Sequence, residues 1–164
     1  MAALAPSQRI LCAVGAIVLT CQEIERHMKF LIPFTNADDP TLASILARHA
    51  KLARRSLGEV AGQFVGAMSG DLEALESYVR QVVFERNELV HHFHERHGDT
   101  FSRDAHELLE SLRTQHSRAL LLLRLLREMA LAVAETMRDS VFAGTPEHDE
   151  IVQLCEGARA SLAS

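Results

Sequence analysis

At 164 residues, 48% apolar and 24% charged, the chain is sized for one domain around a single core and is too short for two comfortable ones. Its formal net charge of −5 excludes a global electrostatic pull toward nucleic acid, so any handling of RNA or DNA needs a local basic patch. Four prolines and eight glycines are too few for the turns of an all-β fold, while abundant Ala, Leu, Glu and Arg favour helices, because such side chains lose little rotamer freedom there.

Three cysteines, Cys12, Cys21 and Cys155, form no CxxC pair, which fits buried, reduced thiols in a cytoplasmic protein. Ile10 to Cys21 is an apolar run too short for a bilayer, which needs about 20 residues. Only Arg9 precedes it, so it lacks the basic region of an export signal, and its helical periodicity continues into Glu23, Glu25, Arg26 and Lys29. It reads as part of a buried core helix, and no membrane partner is expected.

Pro6-Ser7 opens that helix, with Ser7 as N-cap, and Pro33 closes it near residue 32. Ile10, Leu11, Val14, Ile17, Val18, Ile24, Met28 and Leu31 form its apolar face. After a polar turn from Thr35 to Pro40, a second helix runs from about Thr41 to Arg55 with Leu42, Ile45, Leu46, Ala50 and Ala53 inward. Its other face carries Arg48, Lys51, Arg54 and Arg55, the densest cationic cluster in the chain.

Ser56 and Glu59 have the spacing of a capping box. The short helix beyond them carries Gly58, Gly62, Gly66 and Gly70 at four-residue intervals. Each interior Gly costs roughly 1 kcal/mol of helix stability against Ala. The stripe therefore implies either a close neighbouring backbone or a loose connector. Asp71 is placed to cap a third major helix over about residues 72–96, with Leu72, Leu75, Tyr78, Val79, Val82, Val83, Leu89, Val90 and Phe93 at apolar positions. Gly98-Asp99-Thr100 ends it.

From Ser102 to about Phe142 there is neither Gly nor Pro. Forty helical residues would span about 60 Å at 1.5 Å each, so the spacing predicts a kink near Thr114-Gln115 or an end that packs on another chain. Leu120 to Leu123 with Leu125 and Leu126 exceed one inward face, which also points to a partner helix from a second copy. Gly144-Thr145-Pro146 stops the helix, and a short terminal helix covers about 146–162. The expected architecture is a single all-α domain over residues 1–164, four-helix-bundle-like, with one or two short extra helices and a core over about 7–142.

The chemistry-bearing residues gather on the third long helix, at Phe84-Glu85-Arg86-Asn87-Glu88-Leu89-Val90-His91-His92-Phe93-His94. On a regular helix Asn87 and His91 are i and i+4 and share a face, which His94 extends, while Arg86, Val90 and either His94 or His97 form the adjacent row. This set suits phosphodiester cleavage. A histidine titrates near neutrality and moves a proton from a ribose 2′-hydroxyl. An arginine offers a planar fork of donors to the charge that builds on the phosphate. Asn87 holds the imidazole or positions the phosphate.

Arg86-Asn87-Glu88-Leu89-Val90-His91 resembles the Arg, polar residue, three further residues, His pattern of the HEPN domains. Glu23-Ile24-Glu25-Arg26-His27-Met28-Lys29-Phe30-Leu31 is similar to that family's first helix, and Ser56-Leu57-Gly58 to the connector before its motif helix. The resemblance implies a helical bundle that forms a homodimer and brings two Arg–His motifs into one cleft. It further implies a metal-independent endoribonuclease, often a toxin or defence component with an antitoxin or other protein partner. Arg86 and His91 would be catalytic with Asn87 supporting them, and no cofactor is required. The alternative is a non-catalytic module whose motif helix binds a nucleotide or a protein.

Two further readings compete with these. His94 and His97, at i and i+3, have a spacing that chelates metal with His91 or Glu95, but no metal signature such as His-Glu-x-x-His appears. Arg48, Lys51, Arg54 and Arg55 either hold an RNA backbone as a substrate-binding row or form an ordinary solvated face.

Overall fold

The computed structural model describes residues 5–35, 41–68, 72–98 and 105–163. Among them the fold is all-α, with no strand, and consists of six helical rods. These are α1 (Pro6–Leu31, prolonged by a 3₁₀ turn at Ile32–Phe34), α2 (Leu42–Leu52) and α3 (Leu57–Ala67). The fourth rod joins α4 (Glu73–Asn87) through a π-helical turn (Glu88–His92) to α5 (Phe93–His97). Next come α6 (Ala105–Ser140) and α7 (His148–Ala163).

The spine of the bundle is the pair α1 and α6. Along α1 the inward positions Ile10, Val14, Ile17, Cys21, Ile24, Met28 and Leu31 alternate spacings of four and three. Along α6 Leu108, Leu112, Gln115, Ala119, Leu122, Leu126, Met129 and Val133 do the same. This is the seven-residue repeat of a coiled-coil seam, which keeps two helices in contact over many turns. Pro6 and Arg9 share a shallow cleft with Ala105 and Leu109, Thr20 meets His116 at 3.2 Å, and Phe30 lies beside Ala130. Low numbers meet low numbers, so α1 and α6 run parallel. A parallel pair cannot be joined by a tight turn, and α2 to α5 occupy the connection.

The rod of α4 runs antiparallel to α6. Leu75 lies beside Leu125, the Tyr78 hydroxyl donates to the Arg118 carbonyl at 3.0 Å, and Glu85 pairs with Arg118. Against α1 and α4 packs α3, which buries Leu57, Val60, Ala61 and Phe64, an i, i+3, i+4, i+7 face. Phe64, Ile17, Leu112, Leu126 and Val79 are all buried at the common core. Each such side chain contributes about 1.5–3 kcal/mol by leaving water. On the outside, α7 folds back antiparallel on α6 after a turn at Gly144, whose φ of 77° suits a residue without Cβ. Arg159 of α7 pairs with Glu135 of α6.

Several local expectations change. The first helix starts two residues early: Ala5 is the N-cap, Pro6 fills the first turn where its missing N–H costs nothing, and Gln8 accepts from the Ala5 N–H at 3.0 Å. Ser7 is therefore inside the helix. Leu11 faces solvent at 59% exposure, because the seven-residue seam assigns Ile10 and Val14 to the core instead.

For α2, Thr41 is the cap, its Oγ1 accepting from the Ser44 N–H at 3.4 Å. The helix ends at Leu52, not Arg55, and its inward face is thinner than its pattern implied. Leu46 is 59% exposed, Ala50 and Ala53 are exposed, Ile45 is half-buried and Leu52 is a buried core residue, while the Leu42 side chain lies outside the described residues. On α4 and the turn beyond it, Val90 is exposed. Cys12 is exposed, whereas Cys21 and Cys155 are buried.

The capping box is present, with Glu59 accepting from the Ser56 N–H at 2.9 Å and from its hydroxyl at 3.0 Å. Of the glycine stripe, only Gly58 meets a neighbour closely, with Val83 Cγ1 3.8 Å from where its Cβ would stand; Gly62 and Gly66 face open space. Gly70, the Asp71 cap, the turn over 36–40 and the break at 99–100 lie outside the described residues. The α6 helix runs without a break through Thr114-Gln115, and its far end packs against α7 of the same chain. Leu120, Leu121 and Leu125 remain exposed, so the excess of leucine is real surface. Among the described residues no helix is long and apolar enough to cross a membrane, and Ile10 to Cys21 is an interior stretch of α1.

Candidate functional site

Glu88–His92 is wound as a π turn, within an otherwise continuous rod that holds neither Gly nor Pro. A π turn takes an extra residue into one turn, and such bulges occur often at functional sites. In an unbroken α-helix Arg86 and His91, five residues apart, would stand about 140° apart around the axis at 3.6 residues per turn. The added residue reduces that angle and turns His91 back toward the side of Arg86. It also displaces the row expected for a regular helix, in which Asn87 and His91 share a face.

The side chains around the turn divide into two environments. Leu89 is buried and Phe93 packs against the core, and these two anchor the turn. Arg86 and Asn87 are half-buried, and Arg86 Nη1 donates to Asn87 Oδ1 at 3.1 Å. His91 and His92 are exposed, with ring centroids 6.4 Å apart in an edge-on arrangement. His92 Nδ1 lies 3.1 Å from Glu95, and Glu88, largely shielded, contacts Arg96 at 2.5 Å. The structure thus joins Arg86 to Asn87 directly. Among the described residues no hydrogen bond ties either of them to His91.

Behind the motif lies a polar layer that crosses three helices. Burial pushes the Cys21 thiol on α1 up to about 11, with the charge of Arg86 drawing it partly back and that of Glu85 adding to the rise. Arg86 is therefore felt inside the bundle. Glu85 is held by Arg118 of α6, whose carbonyl takes the Tyr78 hydroxyl, and burial raises the Tyr78 pKa as well. The Thr20 hydroxyl donates to the Ala16 carbonyl at 2.9 Å, so at its 3.2 Å contact with His116 the hydroxyl accepts and Nε2 carries the hydrogen. These partners sit 33 to 96 residues apart in sequence. No local pattern reveals them.

A groove of ≈ 840 Å³ runs between α3 and α4. Gly58, Gly62 and Gly66 form its floor, Val83 and Phe84 its wall, and Asn87 reaches it at the motif end. Phe84 is 55% exposed there, an apolar surface that the sequence reading did not single out. Its signal was present, since an aromatic adjacent to a charged pair on a helix already supplied with inward residues has no place in the core.

The cationic row of α2 does not act as a unit. Arg48 spans to the Pro33 carbonyl at 3.2 Å and to Ser44 at 2.8 Å, and Arg55 pairs with Glu59 at 2.7 Å. Lys51 and Arg54 are exposed and hold no ion pair among the described residues. This helix packs on α1 and the 3₁₀ turn, and Lys29 of α1 donates to the Ala53 carbonyl at its end at 3.2 Å. For the metal reading, among the described residues no three His, Cys, Asp or Glu side chains converge as ligands. His97 instead stacks against Phe93 with centroids 5.2 Å apart. No family model matches the chain, and neither a curated protein nor a solved structure matches it.

Proposed function

We propose that the chain is a HEPN-like, four-helix-type module that acts in the cytoplasm as a metal-independent endoribonuclease, with its site completed across a homodimer. The observation that carries this reading is the π turn at Glu88–His92, which overlaps the Arg86–His91 motif, directly follows a half-buried arginine–asparagine pair and carries an exposed histidine. In this reading His91 takes the proton of a ribose 2′-hydroxyl as the 2′-oxygen attacks phosphorus. The bond to the 5′-oxygen breaks, the second protomer's copy of the same histidine returns a proton to it, and a 2′,3′-cyclic phosphate remains. Arg86 stabilises the charge on the phosphate oxygens, and Asn87 fixes the orientation of Arg86. Exposed Phe84, Val90, Leu120, Leu121 and Leu125 are apolar surface suited to a second copy or an antitoxin-like protein.

A second reading has its own observation. Arg86 bonds its neighbour and its charge reaches the buried Cys21, as a structural arginine would, which favours a non-catalytic module that binds a nucleotide or protein. Incubation of the purified protein with RNA in EDTA separates the two. Cleavage that survives chelation and falls at least about a hundredfold in Arg86→Ala and His91→Ala is the expected result, given the usual contribution of a general acid–base group. Absence of cleavage on every RNA tried would leave the binding module. Cleavage that EDTA abolishes would restore a metal site.

A further inference from the structure

A second cleft, ≈ 460 Å³, lies on the far side of α6, in the wedge between the C-terminal half of α1 and α7. Phe30 of α1, Leu131 of α6 and Leu154 of α7 make its walls, and Arg26, His27 and Arg127 stand along it. Its volume falls in the range of small-molecule sites. It is separate from the motif, which contributes no residue to it.

Charge distinguishes this cleft from a casual apolar gap. The chain has 22 acidic residues against 17 basic ones, yet no Asp or Glu lines the cleft. Arg26 is balanced by Glu23 at 2.7 Å, but Arg127 holds no ion pair among the described residues. His27 Nδ1 lies 2.8 Å from the Glu23 carbonyl. A carbonyl only accepts, so Nδ1 carries the hydrogen and Nε2 stays available as the second polar atom of that ring. The walls are mainly aliphatic, with the Phe30 ring among them, and the neutral polar groups are few, His27 and Ser161. A guanidinium without an ion pair among the described residues, at the edge of such an apolar cleft, matches a ligand with one anionic head and an apolar tail, because its planar fork pairs with a carboxylate through two parallel bonds.

The geometry points to a binding site for a long-chain carboxylate in the α1–α6–α7 cleft, its head held by Arg127 and its chain lying between Phe30, Leu131 and Leu154. Such a ligand would also complete the packing of α7, whose one buried core residue is Cys155. Binding therefore tightens α7 onto the bundle.

Calorimetric titration of the intact chain with laurate, and in parallel with uncharged 1-dodecanol, tests this. The expected result is one laurate per chain, with dodecanol about tenfold weaker, the effect of losing one charge-assisted hydrogen-bonded pair. Arg127→Glu and Leu154→Glu, both at exposed positions, should keep the helical circular dichroism and each weaken laurate about tenfold or more. Hydrogen exchange of the α7 amides should slow on addition of laurate. The proposal is overturned by heat that never saturates at one per chain, by equal affinity for the alcohol, or by variants that bind as the parent does. It is equally overturned if laurate does not bind and Leu154→Glu instead separates a dimer into monomers, which would make the cleft a protein interface.

Discussion

Glu59 sits at the third position of α3 with the Ser56 N–H, the Ser56 hydroxyl and Arg55 all directed at its carboxylate. These bonds, the backbone one foremost, hold its pKa down at about 2 against an ordinary 4.5. A lowered carboxylate pKa means that the folded form releases the proton more readily. Its contribution to stability is thus complete above pH 4.5 and lost as the pH falls through 2. Carboxyl-carbon NMR should follow Glu59 titrating near 2, and Ser56→Ala, which removes the hydroxyl but keeps the backbone N–H, should raise that value only slightly while lowering helix stability by about 1 kcal/mol. This box was legible because both partners lie within four residues. The cysteines were not: three thiols of one composition differ only in the face each occupies. Cys12 is exposed and should react with iodoacetamide at pH 8, whereas Cys21, buried and with its pKa near 11, should react only in denaturant. Equal labelling rates for Cys12 and Cys21 in the native protein would contradict the seam that buries the latter.

At the scale of the element, the seam of α1 and α6 has a polar interruption. Gln115 occupies an inward position of the repeat beside the Thr20–His116 contact, and its Oε1 is buried without a hydrogen-bond partner among the described residues. An unsatisfied buried oxygen costs about 1–3 kcal/mol, while polar residues in such seams fix the register of the pair. Gln115→Leu should therefore raise the thermal midpoint by several degrees, about 1–2 kcal/mol, as read by circular dichroism. A fall in the midpoint would show that the amide is satisfied in solution. The apolar periodicity of both helices was plain in the sequence, as was the stop at Gly144. The π turn was not, because Glu88-Leu89-Val90-His91-His92 contains no breaker and the extra residue is accommodated by tertiary packing of Leu89 and Phe93. For the same reason the faces drawn for Asn87 and His91 on a regular helix did not survive.

For the molecule as a whole, stability is unevenly spread. Phe64, Ile24, Met28 and Leu126 are fully buried where α1, α3, α4 and α6 meet, while among the described side chains α2 and α7 each bury a single apolar core residue, Leu52 and Cys155. Native-state hydrogen exchange should rank the α2 and α7 amides as the fastest of the helices and the centres of α1 and α6 as the slowest, since local opening follows buried contact. Uniform protection across all six rods would rule out this hierarchy. The all-α class and the outer bounds of most helices could be read from spacing and punctuation. The pairing order could not, because whether α1 lies parallel or antiparallel to α6 depends on contacts such as Thr20 with His116, which no local pattern encodes.

That parallel pairing also sets a timetable for synthesis. Ile10, Ile17, Ile24 and Leu31 on α1 need the apolar face of a helix that begins only at Ala105. At about 5–20 residues per second, a ribosome takes roughly 4–15 s to make the intervening chain. Throughout that interval the stripe of α1 that faces α6 lacks its native partner. The nascent chain is thus at its stickiest in its first half, when a chaperone that shields α1 would have most to protect.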